Sequence, residues 1–171
     1  MHRLIIDGYN VLHSSERYRR LINDDIDAAR SRLVEDVAAH VAGGPWTMIV
    51  FDGAGNPASD GVPHHIAGIA VLFSKSGTSA DSVIEGLARR GRERGDRVTV
   101  VTSDAVMQQT VFAGEVSRMS SAEFVNHLTA ASDDWLEHAP TGSLRGRLED
   151  RLDDQVRSTL YRWARGCAPE K

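Results

Sequence analysis

Three aspartates each come directly after a short apolar run that is typical of a buried strand. Asp7 follows Leu-Ile-Ile, Asp52 follows Met-Ile-Val-Phe, and Asp104 follows Val-Thr-Val-Val-Thr-Ser. Because the carboxyl ends of parallel strands lie along one edge of a sheet, we expect the three carboxylates to converge there. Clustered carboxylates repel one another, so a folded chain keeps them together mainly where a cation neutralises them. The spacing therefore predicts a cation-binding edge.

A fourth carboxylate, Asp81, stands near the start of a segment with helical periodicity. Asp81 and Glu85 are four residues apart and share one helix face, and Arg89 and Arg92 continue roughly the same stripe. Two interpretations remain open. Asp81 either lines the acidic edge, or completes a capping box in which Thr78 is the N-cap. Spacing alone favours the capping box.

Carboxylate clusters offer the all-oxygen ligands that suit Mg²⁺ or Mn²⁺, and such ions commonly serve phosphoryl chemistry. One ion lowers the pKa of a water molecule and also stabilises the charge that develops on a phosphate. Competing motifs are weak. The chain has no Gly-x-Ser-x-Gly, His-Glu-x-x-His or P-loop sequence, and the glycine-rich residues 53–58 lead into a polar stretch instead of a helix. We interpret the adjacent His64 and His65 as solvated loop residues.

The elements that must position these side chains alternate along the chain. Apolar runs rich in β-branched residues predict buried parallel strands at 3–6, 46–51, 69–73 and 97–102. Helical periodicity predicts helices at 24–42 and 79–94. Further along the chain we expect a helix that starts near Asp104, a short strand at 115–118 and a helix at 121–137. This alternation predicts an α/β fold with a mostly parallel sheet and right-handed crossovers.

A Pro-Thr-Gly-Ser break at 140–143 separates this pattern from an amphipathic stripe that runs from Leu144 to Trp163. We expect one domain at 1–138 and a C-terminal helix at 143–166 that packs on it. A dimer or partner contact is the alternative for that helix, so a monomer or a weak homodimer is expected.

Composition excludes several classes of protein. The chain has 171 residues and one cysteine, so it has no disulfide framework. No apolar run reaches the length of about 18 residues that a membrane span needs, and no signal peptide is evident, so we expect a cytoplasmic protein. The net charge of −4 excludes a general polycation. All but two of the 20 basic residues are arginine, and they cluster at 17–20, 89–97 and 145–165.

Several motifs, taken in order, resemble those of the NYN domain, and most closely its bacterial YacP-like branch within the PIN-like nuclease fold. The likeness covers nearly the whole chain, and the order and spacing of the motifs are more specific than any one of them. The matching segments are Ile-Ile-Asp7-Gly8-Tyr9-Asn10-Val11, Phe51-Asp52, the stretch from Thr78 to Glu85, Thr102-Ser103-Asp104, the stretch from Gly114 to Ser120, and the terminal Leu160 to Gly166.

The resemblance implies a metal-dependent endoribonuclease with a three-layer α/β/α sandwich, which cleaves RNA and, in this branch, has messenger RNA at the ribosome as a candidate substrate. Its catalytic residues fall on Asp7 with Asn10 beside it, Asp52, Asp81 and Asp104. Thr102 and Ser103 match polar positions that line the same edge and are expected to contact RNA.

Two function hypotheses follow. In the first, Asp7, Asp81 and Asp104 bind one or two Mg²⁺ or Mn²⁺ ions, Asp52 and Asn10 complete or orient the ligands, and an activated water attacks the phosphodiester. In the second, the protein is a non-catalytic RNA- or ribosome-binding module with a vestigial acidic site. A toxin-like nuclease of the related PIN group is a third, less favoured interpretation.

The arginines on the Asp81 stripe, Arg89 and Arg92, are predicted to bind RNA phosphates. An acidic edge repels a polyanion, so it needs neighbouring cations to admit one.

Overall fold

A computed structural model describes residues 1–54, 59–103 and 116–138 of the chain, with side chains described as far as residue 130. Each predicted strand in these ranges is present. The strands are β1 (His2–Asp7), β2 (Trp46–Phe51), β3 (His64–Ile66), β4 (Ile69–Phe73), β5 (Arg97–Val101) and β6 (Val116–Met119). The helices are α1 (Gly8–Ser14), α2 (Glu16–Asp24), α3 (Ile26–His40), α4 (Ala80–Glu93) and α5 (Ser121–His138).

The strands form one six-stranded sheet in the order β3-β4-β2-β1-β5-β6. All neighbouring pairs are parallel except β3 with β4. The register places Ile6 of β1 between Ile49 of β2 and Val101 of β5. These three side chains are fully buried, which explains why the central strands read as continuous apolar runs.

Helices cover both faces of the sheet. Alternate residues of β1 point to opposite faces, so Ile6 packs in the core beneath α1, α2, α3 and α5, whereas Ile5 packs beneath α4. The apolar stripe of α4 that covers this second face includes Ile84 and Ala88, both fully buried. The chain therefore has the predicted three-layer α/β/α architecture.

Three elements have no counterpart in the predictions from sequence, namely α1, α2 and β3. The last of these corrects the interpretation of His64 and His65 as loop residues, because both lie in a short strand at the edge of the sheet. The helix expected near Asp104 and the C-terminal helix at 143–166 lie outside the described residues. Within those residues, no helix is long and apolar enough to cross a membrane.

Candidate active site

The sheet has a reversal of connection beside β1. The chain leaves β1 through α1, α2 and α3 on one face and reaches β2, whereas it arrives at β5, on the other side of β1, through α4 on the opposite face. Connections that leave in opposite directions open a crevice at the carboxyl ends of the two strands. Asp7 ends β1, and Thr102 and Ser103 follow β5, so these three residues border the crevice.

Asp7 is held by the first turn of α1. It is the N-cap of that helix, and its two oxygens accept one hydrogen bond each from Asn10: Oδ1 from the backbone N–H at 3.0 Å, and Oδ2 from the side-chain amide at 2.9 Å. Only 5% of Asp7 is exposed. Asn10 therefore fixes the rotation of a nearly buried carboxylate.

The close packing of α1 on the sheet depends on Gly8. A Cβ atom at this position would lie 2.3 Å from Cε1 of the Phe51 ring, and carbon atoms do not approach so closely. Phe51 in turn contacts the rings of Tyr9 and Phe73, at 5.4 and 5.3 Å between centroids. The absence of a side chain at Gly8 thus lets α1 begin directly over the end of β2.

Asp52 ties two distant segments together. Its Oδ1 accepts from the backbone N–H of Ala54 at 2.7 Å, and its Oδ2 accepts from the N–H of Ala80 at 3.2 Å. Ala80 is the first residue of α4, and its N–H has no partner within the helix. Asp52 therefore fastens the start of α4 to the end of β2, which places Asp81 next to this edge.

The capping-box interpretation of Asp81 is wrong in its details. The N-cap of α4 is Ser79, whose side chain accepts from the N–H of Ser82 at 3.2 Å, and Thr78 lies one residue before the cap. Asp81 is thus the second residue of the helix, in its first turn, where the helix dipole favours a negative charge.

The two polar residues after β5 differ in accessibility. Thr102 is fully buried, and its N–H donates to the carbonyl oxygen of Met119 at 3.2 Å. Ser103 is exposed, and its hydroxyl oxygen accepts from the N–H of Ser121, at the start of α5, at 3.1 Å. Of the two, Ser103 is the one that is accessible from solvent.

Arg89 and Arg92 are exposed on α4. At 100° per residue, Asp81, Glu85 and Arg92 form a stripe beside the buried face of the helix, and Arg89 points further toward solvent. The helix starts at the carboxyl edge of the sheet, so Arg89 lies about 12 Å and Arg92 about 16 Å along the axis from Asp81. The two arginines therefore start from the helix backbone about two and three turns beyond Asp81.

Asp7 and Asp81 would supply carboxylate oxygens, which are the ligands that a hard cation needs. Each carboxylate oxygen has a second lone pair beyond the one that a hydrogen bond uses, so Asp7 could bind a cation while it accepts from Asn10. The residues that the structure describes include no group of three or more His, Cys, Asp or Glu side chains placed to hold a metal ion. Asp104, the third expected ligand, lies outside them.

One cation at this edge was not anticipated from the sequence. Arg30 of α3 donates to the hydroxyl of Tyr9 and pairs with Asp27, and its guanidinium lies 5.4 Å from the ring centroids of both Tyr9 and Phe73. These contacts place a positive charge beside Tyr9, which follows Asp7 by two residues in the chain. No local sequence pattern predicts the contacts between Arg30 and Tyr9, because the two residues are 21 positions apart.

Comparison with known proteins agrees with this architecture. YacP from Bacillus subtilis (strain 168) is 24% identical over 176 residues, which cover 95% of this chain and 96% of the relative. A crystal structure of Rae1 (YacP) from Bacillus subtilis matches with a TM-score of 0.64 at 23% identity and covers 97% of this chain and 96% of that one. A second structure, of a tryptophan-to-leucine variant, matches with a TM-score of 0.65 at 22% identity, over 94% and 98% of the two chains.

These structures share the fold of the chain. The model of the YacP-like NYN domain matches residues 4–165, which is nearly the whole sequence. The chain therefore belongs to the YacP-like NYN domain family.

Proposed function

We propose that the protein is a metal-dependent endoribonuclease whose active site is the crevice at the carboxyl ends of β1 and β5. The observation that carries this proposal is the environment of Asp7, a nearly buried carboxylate at the reversal point of the sheet, oriented by both donors of Asn10. A family with the PIN-like nuclease fold and an all-oxygen donor set agree with phosphodiester hydrolysis.

The roles divide as follows. Asp7, Asp81 and Asp104 are the residues that would hold Mg²⁺ or Mn²⁺, Asn10 orients Asp7, and Asp52 keeps the start of α4 at the edge. A bound divalent cation supplies charge neutralisation for the scissile phosphate and acidifies a water molecule. Ser103 borders the path of the RNA beside β5, while Thr102 is a buried support for that segment.

Arg89 and Arg92 are proposed to bind phosphates that flank the scissile bond. Their positions on α4, about 12 and 16 Å from the level of Asp81, suit nucleotides outside the catalytic centre. Changing both to Gln should weaken RNA binding and reduce its salt dependence. Arg90 is the matched control, because it is exposed on the same helix but points about 160° away from Arg92.

The direct test is cleavage of RNA by the purified full chain with Mg²⁺, with Mn²⁺ and in EDTA. We expect internal cleavage that needs a divalent ion and that is lost in Asp81→Asn and Asp104→Asn. Metal-independent cleavage would contradict the mechanism. RNA or ribosome binding that persists in EDTA, with no cleavage under any condition, would favour the non-catalytic binding module instead.

Membership of the family supports RNA as the substrate class. We propose cytoplasmic RNA, with messenger RNA at the ribosome as the candidate target. Co-sedimentation with ribosomes, and mapping of the RNA ends that appear with wild type but not with Asp7→Asn, tests this part separately from cleavage of free RNA.

A further inference from the structure

A groove between α2 and α3 carries the arginine cluster at 17–20, which the catalytic proposal does not use. The groove has a volume of about 710 Å³ and is open to solvent. Its lining consists of Glu16, Arg17, Arg20, Leu21 and Arg32, so three of the five residues are arginines.

Two of the three groove arginines are held by a nearly buried carboxylate, Asp36. Its Oδ2 accepts from the hydroxyl of Tyr18 at 2.7 Å and pairs with Arg17 at 3.3 Å, and its Oδ1 pairs with Arg32 at 3.1 Å. Burial, followed by the charge of Asp36, raises the pKa of Tyr18, so the phenol stays protonated and donates to the carboxylate. Asp36 thus holds two guanidinium groups in place.

These ion pairs leave binding capacity in the guanidinium groups. Each pair with Asp36 uses one nitrogen of the arginine, whereas a guanidinium has five N–H donors. The side chains of Arg17 and Arg32 remain 41% and 42% exposed. They can therefore bind an anion in the groove without leaving Asp36.

The charge balance of the cluster is positive. Four guanidinium groups are paired with only two carboxylates, because Glu16 pairs with both Arg19 and Arg20, and Asp36 with both Arg17 and Arg32. This local excess lies on a chain whose net charge is −4. A polyanion that the net charge of the chain disfavours is attracted here.

We propose that the groove between α2 and α3 binds the phosphodiester backbone of RNA, as a second contact separate from the acidic edge. The proposal rests on the proposed function in taking RNA as the ligand. An acidic protein is the less suitable occupant, since Leu21 is the one apolar side chain in the lining and protein interfaces need an apolar centre. Guanidinium groups bind phosphate through paired N–H donors, and sequence-independent backbone contacts need nothing more.

The groove is apart from the catalytic edge. Arg30, also in α3, lies beside Tyr9 at the acidic edge, and Asp36 is six residues, about 9 Å, further along the same helix. An RNA that fills both sites would be anchored at a distance from the scissile bond.

The test is binding of a fluorescein-labelled single-stranded RNA to the full chain, followed by fluorescence anisotropy in EDTA over a series of KCl concentrations. EDTA separates binding from cleavage. Arg20→Gln should weaken binding about threefold and reduce the salt slope by about 0.7, as expected for one lost phosphate contact. Arg19→Gln is the matched control, because Arg19 pairs with the same Glu16 but does not line the groove.

A gain of affinity distinguishes binding from a structural role. Glu16→Gln removes a carboxylate from the lining and should strengthen RNA binding about threefold. Asp24→Asn removes one negative charge from an exposed position of the same helix outside the groove, and should have a smaller effect. Equal effects in both matched pairs would overturn the proposal.

Competition identifies the ligand class. Poly(A) should displace the labelled RNA, and polyglutamate of equal charge should do so much less well. Equal displacement would point to an acidic protein and overturn the RNA assignment. The outcome is independent of catalysis, since Asp7→Asn should keep groove binding while it loses cleavage. Groove variants that shift binding of an uncleaved RNA would uphold this proposal even if the nuclease proposal failed.

Discussion

Asp7 and Asp52 stand at the ends of neighbouring strands of the same sheet and look alike in sequence, but their oxygens accept hydrogen bonds from different kinds of partner. Both oxygens of Asp7 accept from a single residue, Asn10, within the turn that Asp7 itself begins. The oxygens of Asp52 accept from Ala54 and from Ala80, 28 residues away. The difference teaches that a carboxylate at the end of a strand either orders its own turn or joins distant segments, depending on which N–H groups donate to its oxygens.

The sharpest way to break this comparison is Asp7→Asn. An amide is a poorer ligand than a carboxylate for a hard cation, so cleavage should fall by about 100-fold or more, which is at or above the roughly 10- to 100-fold typical of losing an outer partner of a metal site. The melting temperature should change by less than about 4 °C, because relief of repulsion offsets one lost hydrogen bond. Full cleavage by this variant, measured on the same RNA, would remove Asp7 from the mechanism.

Gly8→Ala tests whether the Asp7 region depends on the contact of α1 with Phe51. A Cβ atom 2.3 Å from the ring forces a shift that should cost about 1–3 kcal/mol of unfolding free energy and also lower cleavage. The matched control is Gly86→Ala in α4, where the nearest atom, on Arg90, is 3.4 Å away and the helix gains propensity. Denaturant melts that give the two variants the same stability would contradict the packing argument.

Asp52→Asn should reveal the assembling role by affecting stability more than chemistry. Only one amide atom can accept, so one of the two N–H groups loses its partner, at a cost of about 1–2 kcal/mol. Cleavage should fall less than in Asp7→Asn. Asp60→Asn is the control, since Asp60 accepts a single local bond from Val62 that an asparagine also provides. If Asp52→Asn were as stable as wild type but inactive, Asp52 would belong with Asp7.

The smallest expected effect concerns the cap of α4, which adjoins Asp52. Ser79→Ala should cost about 1 kcal/mol, because the hydroxyl accepts from Ser82. Thr78→Ala should be nearly neutral, since Thr78 precedes the cap. Thermal melts of the two variants distinguish this arrangement from the capping box predicted from the sequence. If Thr78 were the N-cap, Thr78→Ala would be the more destabilising of the two changes.

The strands and the carboxyl edge were predictable because they rest on local signals. Continuous β-branched runs mark buried parallel strands, and Asp7 and Asp52 stand where those runs end. β3 was missed because a three-residue edge strand with two histidines has neither length nor an apolar pattern. α2 was missed because Tyr18 is its one fully buried side chain, and its other residues are mostly charged.

The different structural roles of the residues at the carboxyl edge were not predictable, for a different reason. The bond from Asp52 to Ala80 and the contact of Arg30 with Tyr9 join residues that are far apart in sequence. Neither leaves a spacing that a reader of the chain can recognise, because tertiary packing alone brings these partners together. Local patterns can identify the candidate carboxylates of a site, but they cannot show which of them holds distant segments together.

The hydrogen bond between Ala80 and Asp52 also offers a way to measure how often this edge of the sheet opens. The first N–H of a helix ordinarily exchanges quickly with solvent, since no carbonyl within the helix accepts it. Here the carboxylate of Asp52, directly after β2, accepts from the amide of Ala80 and protects it, so the exchange rate of this amide measures how often α4 detaches from the sheet. Hydrogen exchange at this one amide would thus follow the opening of the acidic edge in solution, before and after RNA or a divalent ion is added.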